Sequence, residues 1–335
     1  MIDVLLDADV LGRQRTGDET YVQNLLRELP AAAPDLHFAA VSRNPGMIPA
    51  GVEPIELSAG SQEWRMAWSF PRLLRRLGPR LGHFQHSLPL RPGCPAVLTV
   101  HDLSFEREPE LMPRKDRLVF KTVVPRSARR ADHVIAVSER TRDDLADLYR
   151  IPEDKVTVIP HGVDPLFTPG EQLGEGGYLL VVGAVQRRKD PRAAVDAGNE
   201  LHMPVIVVGP EREPALAREL RSLGADLRGY VEKAELAELY RDACALVVPS
   251  RYEGFGLPVL EAMASGTPVI AAPDPALVEV AGDAAVFADQ GDLSGAILHG
   301  LDRRDQLRAA GLERAAQFSW AEAARRTVDV YRGVL

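Results

Sequence analysis

Apolar runs of three to seven residues recur along this chain, most of them closed by Gly, Pro, Asp or Ser. In the first half Ile2–Leu6, His37–Val41, Val52–Leu57, Gly82–Gln85, Ala96–Val100, Asp132–Ser138 and Lys155–Ile159 have this form. In the second half Tyr178–Val182, Val205–Val208, Ala245–Val248 and Val269–Ala271 repeat it. Runs of this length read as buried strands. Helical spacing fills the intervals: Tyr21, Leu25, Leu26 and Leu29 share one face, Ser138 is placed to cap a helix over Glu139–Tyr149, and Pro113–Arg130 and Leu236–Ala243 read as further helices. Strands alternating with helices predict parallel sheets covered on both faces, an α/β chain of two doubly wound, Rossmann-like domains.

The stretch Val247–Ala272 is the most informative. A strand ends at Pro249 and Ser250, and Gly254 and Gly256 open a loop that lets backbone approach a ligand. Pro258 suits the first turn of a helix whose apolar face is Val259, Leu260, Met263 and Ala264, and Gly266 closes it. The helix start at Leu257–Val259 presents free N–H groups and a positive dipole end, which suits a diphosphate. Glu253 and Glu261 flank it, eight residues apart. A carboxylate accepts hydrogen bonds in pairs and suits vicinal hydroxyls, so one glutamate can hold a sugar and the other a ribose. The alternative is two solvated glutamates at an ordinary helix start.

Composition narrows the classes. A length of 335 residues allows two domains, and no apolar run approaches the length of a membrane span. Asp3, Asp7 and Asp9 interrupt the first run, which argues against a signal peptide. Two distant cysteines, Cys94 and Cys244, suggest neither a disulfide framework nor a metal cage, and point to a cytoplasmic protein. A net charge of −8 does not suggest nucleic-acid binding. Yet between Trp64 and Arg130 fourteen Arg and Lys face only five Asp and Glu. A helix is expected from Pro71, with Trp64 and Trp68 beside Arg65, Arg72, Arg75, Arg76 and Arg80. That pattern fits either a packed helix with a solvated basic face or a segment lying on anionic lipid, peripheral on the inner membrane face.

Other candidates lie at strand ends. Asp7-Ala-Asp9 follows the first strand and reads as loop carboxylates rather than a metal pair. Arg13–Glu19 reads as a polar loop around Gly17. His101, with Asp102 second to it, follows a buried strand, where a side chain reaches the ligand edge of a doubly wound sheet. Gly183 follows another, with Arg188 and Lys189 ahead of a helix as a phosphate grip. The dinucleotide fingerprint is absent from that turn, which disfavours a nicotinamide-dependent oxidoreductase. Pro160–Gly170 is rich in Pro and Gly, as a linker would be.

Glu253-Gly-Phe-Gly-Leu-Pro-Val-Leu-Glu261, continuing to Pro268-Val, resembles the Glu-x7-Glu signature of the family-4 retaining glycosyltransferases. The resemblance implies the GT-B fold, two such domains facing across a cleft: residues 1–165 for the acceptor, 166–318 for a nucleotide sugar, and a helix at about 319–335 returning to the first domain. It implies retaining transfer of a hexose, mannosyl or glucosyl, to a hydroxyl acceptor such as a glycan, glycolipid or secondary metabolite, with no cofactor and no metal. By the same resemblance Glu253, Gly254, Phe255, Gly256, Leu257 and Pro258 hold the donor sugar and diphosphate, Glu261 holds the ribose, and Gly229, Tyr230 and Val231 line the base pocket. His101 contacts the sugar near the reacting carbon, Gly17 and Gly183 lie by the phosphates, and Arg188 and Lys189 take the leaving charge. Two departures stand out: Asp18-Glu19 follows Gly17, and Ala184 stands where an arginine is expected. They keep open an alternative, a non-catalytic sugar-nucleotide-binding protein or regulatory subunit.

Overall fold

The computed structural model describes residues 1–13, 16–57, 61–111, 114–170, 177–288 and 291–335. The chain divides into two compact units, Met1–Gly162 with Trp320–Leu335, and Val163–Ser319.

The first unit holds β1 (Val4–Asp7), β2 (Phe38–Ser42), β3 (Glu53–Glu56), β4 (Leu81–Gln85), β5 (Ala96–Val100), β6 (His133–Ala136) and β7 (Val156–Val158). They form one parallel sheet in the order β3-β2-β1-β4-β5-β6-β7. The central strands are apolar and buried because helices cover both faces. The edge strand β3, Glu-Pro-Ile-Glu, is mostly exposed, and its proline sits where a ladder donor is dispensable. The core runs from Leu5 and Val41 through Phe84 and Leu98 to Val134 and Leu145. The helix Trp320–Val334 belongs to this unit, where the Tyr331 hydroxyl lies 2.6 Å from Nδ1 of His83.

The second unit repeats the plan with β8 (Leu179–Val182), β9 (Val205–Val208), β10 (Asp226–Gly229), β11 (Ala245–Val248), β12 (Val269–Ala271) and β13 (Ala285–Phe287). Their order is β10-β9-β8-β11-β12-β13, again parallel. In each unit the strand order reverses beside the first strand, between β1 and β4 and between β8 and β11. At such a point the loops leaving the strand C-termini diverge and open a crevice.

Four local expectations are corrected. The stretch expected as a loop around Gly17 is already helix, Thr16–Ala32, with Asp18 and Glu19 in its first turn, where carboxylates suit the dipole. Glu19 is spent locally, accepting the Gly12 N–H at 2.6 Å. Gln14, Arg15 and Pro113, also within expected elements, lie outside the described residues. The helix expected from Pro71 is present as Phe70–Leu77, with Pro71 in its first turn, but helical backbone begins well before it. Helical backbone runs from Gln62–Trp64 through a π-helical turn at Arg65–Ser69 into Phe70–Leu77, the widened turn admitting the ring of Pro71. Arg65, counted with a basic face, is wholly buried: its guanidinium donates to Asp7 at 2.6 and 3.0 Å and stacks 4.5 Å from the Phe70 ring centroid. Asp7, expected in a loop, ends β1 and Asp9 lies in the turn after it; both are buried ion-pair acceptors, Asp9 also meeting Arg43 at 3.1 Å. The Pro- and Gly-rich segment is also anchored. His161 stacks on Trp320 in the first unit, whereas in the second Phe167 packs on Tyr240 and Asp164 pairs with Lys233.

Candidate active site

In the second unit the loops after β8 and β11 meet at the switch point. Gly183 follows β8, and the backbone there passes Gly209 so closely that a Cβ at residue 209 would lie 2.1 Å from the Gly183 carbonyl oxygen. A 3-10 turn, Arg187–Lys189, follows. Lys189 Nζ donates to both carboxylate oxygens of Glu253 at 2.6 Å. Arg188 Nη1 donates to the Tyr252 carbonyl at 2.7 Å and lies 3.9 Å from the same carboxylate. The Arg251 N–H closes the loops together by donating to the Arg188 carbonyl. Burial pushes the Glu253 carboxyl up, but Lys189 and Arg188 outweigh it and hold the group below the usual carboxylate range.

Gly256 adopts φ 109°, a left-handed value open to glycine, and its residue precedes the helix Leu257–Ala264 without any side-chain cap. Pro258 has no N–H and the Val259 N–H already donates to the Gly256 carbonyl at 3.0 Å, so the start offers an anion the Leu257 N–H and the positive end of the helix dipole, fewer donors than expected. Phe255 is buried against Phe318. Glu261, one turn along, accepts the Tyr240 hydroxyl at 2.9 Å. It is partly accessible, yet dense packing around its carboxyl pushes the pKa up to about 7, against the Tyr240 hydrogen bond and Lys233. Gly229 ends β10 at φ 66°, beyond a bulge, leaving Tyr230 exposed and Val231 half-buried. Glu253 and the two cations are thus in contact, while Gly229–Val231 lie at the end of β10, which β9 separates from β8.

In the first unit His101 lies straight after β5, buried, its Nε2 2.9 Å from Gln85 Oε1 and its ring edge-on to Tyr21 at 4.8 Å. Burial pushes its pKa down to about 4; Asp18 opposes this and His86 adds to it. The imidazole is neutral near pH 7. Beneath it a buried polar chain runs from Tyr21 through Thr99 and His83 to Tyr331, with links of 3.0, 2.7 and 2.6 Å. Desolvation holds His83 down at about 3, so this chain carries no net charge. Gly17 sits in the first turn of Thr16–Ala32, after the loop that leaves β1.

Sequence reading missed several participants. Tyr240, the anchor of Glu261, is 21 residues away and indistinguishable from any core tyrosine. His86 adopts φ 54°, rare outside glycine, and its buried Nδ1 has no hydrogen-bond partner among the described residues. A ligand atom from each of Asp18, His86 and His101 lies within 4.8 Å of the other two. Two imidazoles and a carboxylate could hold a divalent ion of the zinc type, a convergence invisible in the linear order.

The comparisons agree with this architecture. Residues 15–166 match the family model Glycosyltransferase Family 4, and residues 176–303 match Glycosyl transferases group 1. The chain is 32% identical over 267 residues to O-antigen chain mannosyltransferase B of Escherichia coli, covering 71% of this chain and 70% of that one. It is 34% identical over 296 residues to a D-inositol 3-phosphate glycosyltransferase of Frankia alni, covering 73% and 70%. Among solved structures, a sucrose-phosphate synthase of Thermosynechococcus elongatus superposes with a TM-score of 0.78 at 22% identity, covering 99% of each chain. WaaG, a glycosyltransferase involved in lipopolysaccharide biosynthesis, gives 0.76 at 16% identity over 99% of this chain and 100% of that one. Anabaena HepE in complex with UDP and glucose gives 0.75 at 16% identity over 100% of both. These likenesses establish the fold.

Proposed function

Because this chain belongs to the family 4 glycosyltransferases, we propose that it moves a hexosyl group, mannosyl or glucosyl, from a nucleoside-diphosphate sugar to a hydroxyl of a glycan, a lipid-linked acceptor or a secondary metabolite, with retention and without a metal. One observation carries the reading of the donor site: Lys189, Arg188 and Glu253 converge where the loops after β8 and β11 meet, beside an uncapped helix start. The pairing with half-buried Lys189 keeps Glu253 ionised although buried. A diphosphate would take over Lys189 and Arg188, and Glu253 would turn to the hydroxyls of the sugar.

The chemistry requires stabilising negative charge on the departing diphosphate. Two fixed cations and a helix dipole supply that at no reorganisation cost at the moment of reaction. Glu253 stays ionised and accepts hydrogen bonds from the sugar, and Glu261 accepts from the ribose. Gly229, Tyr230 and Val231 take the base through backbone. Gly183, Gly254, Phe255, Gly256, Leu257 and Pro258 form the walls around the phosphates and sugar. His101, neutral and held by Gln85, is an uncharged hydrogen-bonding group for the transferred sugar. Gly17 opens the helix Thr16–Ala32 and would lie by the phosphates, while its unit recognises the acceptor. The leaving phosphate itself takes the acceptor proton, so no side-chain base is assigned. HepE, with UDP and glucose, supports a nucleotide sugar as donor.

The test is calorimetric titration with UDP, GDP, ADP and dTDP in EDTA, followed by turnover of the matching sugar nucleotides. One diphosphate should bind at micromolar affinity, and Glu253→Gln should bind it while losing transfer and donor hydrolysis. Full turnover by Glu253→Gln refutes its assignment. Binding by wild type without turnover of any donor, with acceptor extracts supplied, favours the non-catalytic alternative.

A further inference from the structure

The basic stretch after Trp64 leaves a surface that the donor chemistry does not use. Its inner side is core: Arg65, Met66, Phe70, Leu73 and Leu74 are buried. Its outer side exposes Trp64 at 56% and Trp68 at 49% of their areas. Tryptophan carries more apolar surface than almost any residue, and two half-exposed side by side are unusual for a water-facing helix. They are not splayed apart. Four residues separate them, the π-helical turn brings them onto one line, and their ring centroids lie 5.9 Å apart at 33°. Arg72, four residues further, places its guanidinium 5.3 Å from the Trp68 ring centroid. The line therefore reads Trp, Trp, Arg at one helical edge.

Leu90 extends it. Its N–H donates to the Met66 carbonyl at 3.0 Å, which sets it against the tryptophan segment, and its side chain is 59% exposed. Arg130, at the end of the helix Arg114–Arg130, donates to the Leu90 carbonyl at 2.9 Å, and Arg126 is exposed one turn before it. Arg72, Arg91 and Arg126 have no ion-pair partner among the described residues. Within residues 62–80 the one acidic residue is Glu63. An apolar centre rimmed by unpaired arginines matches a surface with anionic headgroups above an acyl interior: indole sits at the headgroup boundary and guanidinium pairs with phosphate.

We propose that the edge formed by Trp64, Trp68 and Leu90, with Arg72, Arg91 and Arg126 around it, docks the first unit reversibly onto an anionic lipid bilayer. The contact is peripheral, since no helix among the described residues is long and apolar enough to cross a membrane. Three apolar side chains are too few to anchor the chain alone, so the arginines must contribute, and binding must weaken with salt. The inference is independent of the donor-site reading.

The experiment is vesicle flotation of the full chain with phosphatidylcholine alone and with phosphatidylglycerol added, at low and high salt. Wild type should float with the anionic vesicles and at least about tenfold less with neutral ones, and salt should release it. Trp64→Ser/Trp68→Ser should lose about tenfold on anionic vesicles. Arg72→Gln/Arg126→Gln should lose about twenty-five-fold, roughly fivefold per charge. Both variants change exposed side chains, so their unfolding temperature and nucleoside-diphosphate affinity should match wild type and confirm that the fold is intact. No preference for anionic vesicles, or undiminished flotation of the tryptophan variant, overturns the proposal. So does sedimentation velocity showing a wild-type dimer that Trp64→Ser/Trp68→Ser abolishes, since the surface then joins two copies of the chain.

Discussion

Glu261 is the group whose ionisation should be legible in donor affinity. With its pKa pushed up to about 7, it is roughly one-tenth ionised at about pH 6 and nine-tenths at about pH 8. Ribose hydroxyls donate, so they favour the carboxylate, and binding pulls the pKa down. Affinity should therefore rise about tenfold between those two pH values, about 1.4 kcal/mol, one unit's worth of ionisation. A nucleotide sugar is the ligand to use, because its diphosphate is esterified at both ends and does not titrate in this window. Calorimetry in two buffers of different ionisation heat should also register proton release on binding below about pH 7. Glu261→Gln should bind more weakly, with a flat profile and no proton release. The sign for stability runs the other way. The folded chain holds this proton more tightly than the unfolded one, so the contribution is fully present below about pH 4.5 and is lost as pH rises through about 7. Wild type should thus lose more stability than Glu261→Gln on going from about pH 5 to about pH 8. A pH-independent wild-type affinity, or the same slope in Glu261→Gln, refutes the assignment of Glu261 to the ribose.

Two further outcomes follow from packing. Arg65→Met keeps the shape of the stem but strands the buried Asp7 carboxylate, and should cost about 3–5 kcal/mol in urea unfolding; adding Asp7→Asn should recover part of it, whereas additive losses would show that the pair is not coupled. Gly256→Ala forces a side chain into φ 109° with its Cβ 2.8 Å from Leu277 Cδ2, and should cost about 1–3 kcal/mol along with nucleotide affinity; an unchanged unfolding midpoint would mean that the turn relaxes freely.

Much of this protein was legible in the linear chain because its signals are local. The short apolar runs mark strands that helices cover on both faces, and their length and flanking Gly and Pro, with the helical spacing of the intervals, separate strand from helix. The run from Ala245 to Ala271 holds strand, turn, helix start and strand within one covalent segment, so β11, the helix Leu257–Ala264 and β12 were read at their places. Ser138 caps Glu139–Tyr149, its hydroxyl accepting the Thr141 N–H, because a cap is a contact between residues three apart.

What only the tertiary structure decided joins residues distant in the chain. Arg65 looked like one more surface base, but a fold that brings β1 under the π-helical turn buries it on Asp7, 58 positions away. Lys189 and Glu253 were each read as donor-site groups, yet their contact at 2.6 Å exists because β8 and β11 are hydrogen-bonded neighbours across 64 residues. The elevated pKa of Glu261 comes from burial of its carboxyl, which the Tyr240 hydrogen bond opposes, and the meeting of Asp18, His86 and His101 joins the first turn of a helix to the ends of two strands. Local pattern specifies which elements form, since backbone hydrogen bonds and caps act over a few residues. Burial, and with it the charge state of every titratable group at the site, depends on which elements the sheet order sets side by side.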